Sequence, residues 1–458
     1  DGLQTPLFFN ETAPPEIHVA PHSLPLHNAP PLARRTPVRM LAVTLVVALP
    51  ILLCASCLRI RVHGDPEAAL AGAAQQVEDA IAASLPLRVA TYNTSLYDET
   101  DGGLIRRLES GDPAARRIAA VLQRVRPDVV LLNEFDYDAA GRAADLFQHD
   151  YLEVAQGAGA QALRYPFRYL APVNTGVPSG LDLDGNGIVG GEGRDRGNDA
   201  WGYGLHPGQY GMLVLSRYPI DRAQVRTFQL LKWSAMPDAF APIDPRARGY
   251  YYPQEIWRQL RLSSKSHWDV PVRTPHGLLH LLASHPAPPV FDGPEDRNGA
   301  RNADELRLWR EYLDNDPADA AWICDDDGRC GGLFAGRRFV IAGDLNNDPI
   351  DGDGRHEAIV ALIEHARVLR HPAPRSIGAA VAAREVGGAN AGHRADPAED
   401  TGDFGPRIGN LRLDYLLPSV GLRVVSSGVF WPEPAAVDAA NAGASDHRAV
   451  WVDLMPMN

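Results

Sequence analysis

The sequence has no excess of basic residues, no visible repeat period and no long block of like charge. Its 44 Lys and Arg residues are outnumbered by 57 Asp and Glu residues, for a formal net charge of −13. This acidity argues against a protein that coats nucleic acid through non-specific attraction to phosphate. An enzyme that handles phosphate through a bound metal ion is still compatible with it, because the cation supplies the positive charge.

The composition is otherwise that of a globular protein. Hydrophobic residues make up 45% of the chain and charged residues 22%, which excludes disorder of the whole chain. The 42 Gly and 38 Pro residues indicate many loops without reaching the level of low complexity. A length of 458 residues is consistent with one large domain with insertions or with two ordinary domains.

The first 86 residues carry export signals. Residues 1–39 show no period, and we predict a disordered extension or a segment absent from the mature protein. Arg residues then precede an apolar run over residues 40–58, a pattern typical of a signal peptide or a membrane anchor. Cys57 lies in a segment similar to a bacterial lipoprotein cleavage box, although an uncleaved anchor and a cleaved signal without lipid are alternatives. Residues 59–86 are predicted to form a tether, so we expect a periplasmic, cell-surface or secreted protein.

Cysteines are few, and two of the four, Cys54 and Cys57, belong to the export signal. The other two, Cys324 and Cys330, are separated by five residues. In an oxidising compartment such a pair closes a small loop through a disulfide. A metal site is the alternative, but the sequence nearby has no further Cys or suitably spaced His to complete it.

Residues 87–458 alternate short apolar runs with amphipathic stretches, which indicates an α/β domain with long surface loops. Helices are predicted over 113–126, 300–313 and 355–366. Strands are predicted over 87–93, 128–134, 211–217, 278–285, 337–345, 411–418 and 447–454.

Polar residues that can bind metal or move protons follow several of these strands. They are Asn93, Glu134, His285, Asp344 and Asn346, Asp414, and Asp446 with His447. Because strand ends cluster in α/β sheets, these side chains are predicted to meet at one site. In an extended chain Asp344 and Asn346 point the same way, whereas Asp446 and His447 share a site only if the chain bends before the last strand.

The ordered motifs resemble the endonuclease/exonuclease/phosphatase superfamily, which includes deoxyribonucleases, apurinic endonucleases and sphingomyelinases. The motifs are ATYN (90–93), LLNE (131–134), QYGMLVLSR (209–217), SHPAP (284–288), GDLNNDP (343–349), RLDYLLPS (412–419) and SDHRAV (445–450). The resemblance implies a four-layer α/β/β/α sandwich built on two packed mixed sheets, with long loop insertions.

The resemblance also implies a set of roles. Glu134, Asn93 and Asp446 would hold Mg²⁺ or Mn²⁺, since hard oxygen ligands suit these ions. The catalytic set would be His285, Asp344, Asp414, His447 and Tyr210. In that set Asp414 orients His447, and either Asp344 or His447 takes the proton from water. Asn346 would contact the phosphate.

Two further segments are candidates for binding. Arg301 and Asn302 could reach an anionic group of the substrate, although a loop leading into the helix at 300–313 is an equal alternative. Residues 182–193 begin like a calcium loop, with Asp182, Asp184 and Asn186 in the first ligand positions. A Gly- and Asp-rich surface turn is the alternative there, because Ile188 and Glu192 each fall one position too early for an EF-hand.

Taken together, the sequence predicts an exported, divalent-metal-dependent phosphoesterase that hydrolyses phosphodiesters or phosphomonoesters with activated water. We expect a monomer with a membrane tether. The alternatives are an extracellular nuclease of the same fold and a non-catalytic, surface-tethered binding module. Loss of a site residue would favour the binding module, and none is missing from the motifs.

Overall fold

The computed structural model describes residues 76–78, 80–246 and 248–457. The predicted extension (1–39), the predicted signal peptide or anchor (40–58) and most of the predicted tether (59–86) lie outside these residues. Within the tether, residues 76–78 and 80–84 are helical. In the part of the chain that the structure describes, no helix is both long enough and apolar enough to cross a bilayer.

The strands form two mixed sheets and two short ribbons. In chain order they are β1 (Leu87–Leu96), β2 (Val129–Phe135), β3 (Phe167–Tyr169), β4 (Met212–Ser216), β5 (Arg226–Thr227), β6 (Ile243–Asp244), β7 (Gly249–Tyr250), β8 (His267–Thr274), β9 (Gly277–Ser284), β10 (Phe339–Asp344), β11 (Gly402–Asp403), β12 (Asn410–Leu411), β13 (Asp414–Pro418), β14 (Leu422–Val429) and β15 (Val450–Pro456). The first sheet has the order β14-β15-β1-β2-β4-β3 and the second the order β13-β10-β9-β8-β5. Each sheet contains one parallel pair, β1 with β2 and β9 with β10.

The described residues also form helices beyond those of the tether. They are α1 (Gly103–Glu109), α2 (Pro113–Val125), α3 (Arg142–Leu146), α4 (Gly193–Asn198), α5 (Gln254–Trp257), α6 (Arg297–Asp314), α7 (His356–Ile363), α8 (Ile377–Val386), α9 (Gly405–Ile408) and α10 (Ala439–Ala442). A π-helical turn spans Phe147–Leu152, and 3₁₀ turns span Arg222–Gln224, Trp233–Ala235, Gly388–Gly392 and Pro397–Glu399.

The alternation of side chains along the strands produces the layers. In β10, Val340 and Ala342 belong to the core between the two sheets, whereas Phe339 and Ile341 pack with residues of α6 and α7. Because successive strand residues point to opposite faces, an entirely apolar strand of this kind is buried on both sides. The first sheet is likewise backed by α1, α2 and α3. The predicted four-layer α/β/β/α sandwich is therefore confirmed.

The local signals of the sequence explain where α2 begins. The Asp112 carboxylate accepts a hydrogen bond from the backbone N–H of Ala115 at 2.8 Å, and Pro113 occupies the first helical turn. Both features are typical helix-start signals, since the cap satisfies an otherwise free N–H and proline lacks one.

The predicted disulfide is confirmed. Cys324 and Cys330 are bonded, with 3.9 Å between their Cα atoms, in a turn that follows α6. Asp325 within this turn pairs with Arg226 of β5 at 2.8 Å, so the loop is fixed to the edge of the second sheet.

Candidate active site

The carboxyl ends of both parallel strand pairs open onto one cleft of about 600 Å³. This is the edge at which α/β sheets usually carry their ligands, because the loops that follow parallel strands meet there. Eight residues of the predicted site line the cleft: Glu134, Tyr210, His285, Arg301, Asp344, Asn346, Asp446 and His447. Positions that are far apart in the sequence therefore lie around one cavity.

Asp344 ends β10, and its carboxylate is the centre of the site. Its Oδ2 accepts a hydrogen bond from Asn93 Nδ2 at 3.0 Å, and lies 3.4 Å from His285 Nε2 and 3.5 Å from His447 Nε2. Its Oδ1 accepts from the backbone N–H of Asn346 at 3.0 Å. Burial opposes ionisation, but the positive charge of His447 and the hydrogen bond from His285 outweigh it and hold the pKa of Asp344 well below its usual range. Asp344 is therefore a carboxylate at neutral pH.

His447 lies in the loop before β15 and reaches the second sheet. Its Nδ1 is 2.8 Å from Oδ2 of Asp414, and the hydroxyl of Thr401 donates to the same oxygen at 2.8 Å. Burial lowers the pKa of His447, but the carboxylates of Asp414 and Asp344 outweigh it and raise that pKa well above its ordinary value. The ring of Phe404 packs edge-on against the imidazole of His447, with 5.3 Å between the ring centroids. The imidazole is thus held in one orientation between two carboxylates.

Asp414 begins β13 and is buried. Burial raises its pKa to about 6, against the opposing charge of His447. Asp344, Asp414 and His447 each offer a ligand atom within 4.8 Å of the others. Because each carboxylate already contacts the imidazole between them, we interpret these three residues as a proton-handling group and not as a set of metal ligands.

His285 follows β9 and is also buried. Its Nε2 faces Asp344, and its Nδ1 has no hydrogen-bond partner among the described residues. Burial, reinforced by the nearby positive charge of Lys265, lowers the pKa of His285 to about 4. The imidazole is therefore neutral at pH 7, unlike that of His447.

Glu134 is the penultimate residue of β2 and has a φ of +53°, a left-handed backbone conformation that non-glycine residues seldom adopt. Such positions occur where the surrounding structure holds a functional side chain in place. Desolvation raises the pKa of Glu134 to about 7; the charge of His447 opposes this shift and that of Asp446 adds to it. A cation beside this carboxylate would offset its desolvation.

Asp446 is exposed at the cleft. Its Oδ1 accepts hydrogen bonds from the hydroxyls of Ser95 at 3.1 Å and Ser445 at 3.3 Å. The bend that the sequence requires is present, because β15 starts only at Val450 and the backbone N–H of His447 donates to Ser445 Oγ at 3.1 Å. Both Asp446 and His447 therefore line the cleft.

The donor chemistry fits the predicted cation. Asn93, Glu134 and Asp446 would contribute an amide oxygen and carboxylate oxygens, the hard ligands that Mg²⁺ and Mn²⁺ prefer. Of the two carboxylates, that of Glu134 is desolvated and that of Asp446 is open to the cleft.

Tyr210 lies in the loop before β4, again with a positive φ of 56°. Its backbone N–H donates to Asp136 at 3.1 Å, and its ring centroid lies 4.5 Å from that of Tyr97. Burial raises its pKa, so its hydroxyl stays protonated and can donate a hydrogen bond into the cleft.

The backbone at Asn346 is not extended, contrary to the prediction that Asp344 and Asn346 point the same way from an extended chain. Its φ is +53°, and its N–H closes a turn onto the Asp344 side chain. Its amide Nδ2 donates to the Pro286 carbonyl at 3.1 Å. Both Asp344 and Asn346 nevertheless line the cleft, because the turn, and not a strand, directs the second side chain there.

The prediction that Asn302 binds substrate does not fit its position. Asn302 is fully buried, and its Nδ2 donates to the carbonyls of Ala287 at 2.9 Å and Leu345 at 3.0 Å. Its Oδ1 accepts from Asn347 Nδ2 at 2.9 Å, so its amide is used within the protein. Asn302 therefore holds together the loops that follow β9 and β10.

Arg301 lines the cleft, but much of its guanidinium is also used within the protein. Its Nε and Nη2 atoms donate to backbone carbonyls at 2.7 to 3.0 Å, which are those of Leu262, Trp201, Arg261 and Ser263. Substrate contact by Arg301 stays a prediction.

The predicted calcium loop lies at the rim of the same cleft, since Asp184 lines it. Asp182, Asp184 and Asp199 could together hold a metal ion, so Asp199 adds a third acidic group to the predicted Asp182 and Asp184. A role for Asn186 stays a prediction. In the structure their carboxylates accept hydrogen bonds within the loop, for example from the N–H groups of Leu183 and Gly187.

Sequence reasoning missed three residues that shape the site. Thr401 donates to Asp414, Tyr97 packs on Tyr210, and Lys265 lines the cleft beside His285. Nothing in the sequence around Thr401 or Tyr97 marks them as site residues. Lys265 could have been noticed from the sequence, because only two of the 44 Lys and Arg residues are lysines.

A known protein family matches most of the chain. The model of the Endonuclease/Exonuclease/phosphatase family matches residues 90–447. No curated protein gives a significant match to the chain.

Solved structures that resemble the chain include an endonuclease/exonuclease/phosphatase from Beutenbergia cavernae DSM 12333, with 19% identity over 81% of this chain and 72% of that chain, at a TM-score of 0.43. Truncated TDP2 from Caenorhabditis elegans has 14% identity over 82% of this chain and 99% of that one, at a TM-score of 0.36. A beta toxin from Staphylococcus aureus has 13% identity over 80% and 99%, at a TM-score of 0.40.

Proposed function

Because this chain belongs to the endonuclease/exonuclease/phosphatase family, we propose that it hydrolyses phosphoester bonds with a divalent cation and a water nucleophile. The observation that carries the proposal is the contact of Asp344 Oδ2 with both His285 and His447 inside the cleft. This carboxylate oxygen joins a neutral and a protonated imidazole at the edge of a cavity.

Asp344 and His447 divide the proton chemistry. Ionised Asp344 orients the attacking water and accepts its proton at Oδ2. The water oxygen forms a bond to phosphorus while the bond from phosphorus to the ester oxygen breaks, and the ester oxygen leaves as an alkoxide that takes a proton from solvent water. Protonated His447, stabilised by Asp414, donates from Nε2 to a phosphate oxygen as negative charge develops.

Asn93, Glu134 and Asp446 would hold the cation. When bound, Mg²⁺ or Mn²⁺ would neutralise negative charge on the phosphate oxygens. Tyr210 can donate a hydrogen bond to a further oxygen of the same group, and Asn346 lies beside it in the cleft wall. The one N–H of neutral His285 is directed at Asp344, so this imidazole holds the carboxylate in place.

The shape and charge of the cleft favour a small phosphoester over a polynucleotide. Its volume of about 600 Å³ is in the range of small-molecule sites. Its acidic lining residues are Glu134, Asp184, Asp344, Asp348, Asp351, Asp353 and Asp446, against Arg194, Lys265, Arg297 and Arg301. A long polyanion would be repelled by this balance, whereas a substrate with one phosphate group meets the cations locally.

Aromatic side chains supply the other part of the lining: Tyr97, Tyr203, Tyr210, Trp233, Tyr252, Phe291 and Phe404. Aromatic walls with a few polar groups are typical of sites for organic ligands. We therefore propose a phosphoester with an apolar or aromatic leaving group.

Export and the calcium loop belong to the same proposal. The Cys324–Cys330 disulfide supports a protein that folds in an oxidising compartment, with residues 40–58 as signal or anchor. A Ca²⁺ ion held by Asp182, Asp184 and Asp199 would stabilise the rim of the cleft in a calcium-rich exterior.

A substrate panel tests the proposal. The purified chain is assayed with Mg²⁺, Mn²⁺ or Ca²⁺ on p-nitrophenyl phosphate, bis(p-nitrophenyl) phosphate, plasmid DNA and single-stranded DNA. Turnover of an aryl ester well above that of either DNA supports the small-substrate proposal. Preferential cleavage of DNA would identify a nuclease, and no turnover on any substrate would favour a binding module.

A further inference from the structure

Lys265 lies just before β8 and forms part of the wall of the cleft. It is 6% exposed, so its charge is almost completely removed from bulk water. The only other lysine in the sequence is Lys232, which is exposed. In a chain that uses arginine at almost every basic position, a buried lysine beside the site calls for a specific explanation.

The ammonium group of Lys265 has very few partners. It has three N–H donors, and one of them meets the carbonyl oxygen of Pro286 at 3.4 Å. Within residues 80–246 and 248–457, no carboxylate oxygen lies within 4.0 Å of it. A buried ammonium without an anion is strongly disfavoured, and burial accordingly lowers the pKa of Lys265.

The acidic residue with the strongest electrostatic effect on Lys265 is Glu305, and it does not serve as the structural partner of the ammonium. Glu305 is fully buried, and its two carboxylate oxygens accept backbone hydrogen bonds from Ser264 and Ala287, each at 2.6 Å. Glu305 therefore fixes the backbone immediately before Lys265 and that of the loop after β9, and it leaves the ammonium without a direct ion pair. The remaining donors of Lys265 are available to an anion that enters the cleft.

The chemistry of lysine suits a phosphoryl group. An ammonium is a compact point charge with three donors, whereas a guanidinium needs room for a planar fork. Beside Lys265, His285 is neutral and Arg301 is bonded to backbone carbonyls, so Lys265 is the basic side chain whose donors stay open to an anion at this part of the wall.

We propose that Lys265 binds the non-bridging oxygens of the substrate's phosphoryl group through its ammonium. This inference rests on the proposed phosphoesterase function and adds a phosphate-binding residue to it. No bond to Lys265 is made or broken in the reaction, and the residue stabilises the charge of the bound and reacting phosphate.

Three variants test the inference: Lys265→Met, which keeps the length of the side chain without its charge, Lys265→Arg, which keeps the charge, and Lys232→Met as a matched control. We expect Lys265→Met to lower kcat/KM by about 100-fold, the usual effect of removing one donor to a reacting oxyanion. Lys265→Arg should recover part of this loss, and Lys232→Met should match the wild type.

Two readouts separate this role from a structural one. Calorimetric titration with inorganic phosphate should show affinity weakened at least tenfold in Lys265→Met and unchanged in Lys232→Met. Since the variant removes an unpaired buried charge, its thermal midpoint should equal or exceed that of the wild type. A lower midpoint with unchanged phosphate affinity would overturn the inference and assign Lys265 to the scaffold.

The same measurements distinguish the two proposals. If the wild type hydrolyses phosphoesters and Lys265→Met matches it in turnover and phosphate affinity, the inference about Lys265 is wrong and the proposed function stands. If the wild type neither hydrolyses a phosphoester nor binds phosphate, both are wrong.

Discussion

The Nδ1 atom of His447 lies 2.8 Å from Oδ2 of Asp414, and this contact joins the two sheets of the sandwich. His447 belongs to the loop before β15 of the first sheet, and Asp414 begins β13 of the second. Asp414 is also paired across the second sheet with Asp344 of β10. The packing of one sheet on the other therefore sets the geometry of the proton-handling group.

Replacing His447 should remove most of the activity and leave the fold intact. We expect His447→Ala to lower kcat by 10²- to 10⁴-fold, the range for loss of a general acid or base. Steady-state kinetics measure this effect, and circular dichroism checks the fold. His149→Ala alters an exposed histidine outside the cleft and should keep full activity; an equal loss in both variants would contradict the assignment.

Asp414→Asn should show that the carboxylate acts through the imidazole. The substitution keeps the shape of the side chain but removes the charge that stabilises protonated His447 and fixes its orientation. We expect a fall in kcat of at least about tenfold, with the pH at which activity declines on the alkaline side moving to a lower value. An unchanged pH–rate profile would show that Asp414 is only a packing residue.

The disulfide should stabilise the fold without contributing to catalysis. Closing a short loop between Cys324 and Cys330 should contribute roughly 2 kcal/mol to the free energy of unfolding. Because neither cysteine lines the cleft, the double variant Cys324→Ser/Cys330→Ser should unfold at lower urea concentration with kcat unchanged. A double variant as stable as the wild type would mean that the hydrogen bonds of the turn hold the loop without the disulfide.

Asp400 should make the protein less stable as the pH rises. Burial, together with the charges of Asp348 and Asp351, raises its pKa to about 8, so the folded state binds a proton that the unfolded state releases near pH 4. Its contribution to stability is therefore complete below pH 4 and is lost progressively between about pH 4 and pH 8.

Asp400→Asn removes this titration. We expect the variant to exceed the wild type in unfolding free energy by more than about 1 kcal/mol at pH 8, the equivalent of one pKa unit, with a smaller difference at pH 5. Urea unfolding at the two pH values measures it. If the two proteins differed in unfolding free energy by the same amount at pH 5 and pH 8, Asp400 would have an ordinary pKa.

The sequence predicts a helix or strand correctly where one physical signal dominates. The apolar runs of β2 and β10 and the stripe of α2 predicted their elements to within a few residues, because burial on both faces or on one helical stripe leaves a clear pattern. The family motifs then located the residues that meet at the cleft.

Strand β8 was missed because its sequence contradicts the usual strand pattern. It contains Pro271 and the buried polar residues His267 and Asp269. Asp269 is tolerated there because His280 and Tyr312 contact its carboxylate at 2.7 and 2.6 Å. Those partners come from β9 and α6, and only the tertiary structure brings them together.

Side-chain roles within a motif could not be read from spacing alone. Asn302 was grouped with Arg301 as a substrate contact, yet its helix directs it into the core between two loops. Lys265 belongs to no motif, and its burial beside His285 depends on the pairing of β8 with β9.

The most direct test is the dependence of turnover on metal in the wild type and in Glu134→Gln, measured as aryl phosphoester hydrolysis by metal-free protein during titration with Mg²⁺. We predict that a chelator abolishes activity, that Mg²⁺ restores it, and that Glu134→Gln requires at least about tenfold more Mg²⁺, the range for disturbing a metal site. Full activity of the metal-free wild type, or the same Mg²⁺ requirement in both proteins, would contradict it.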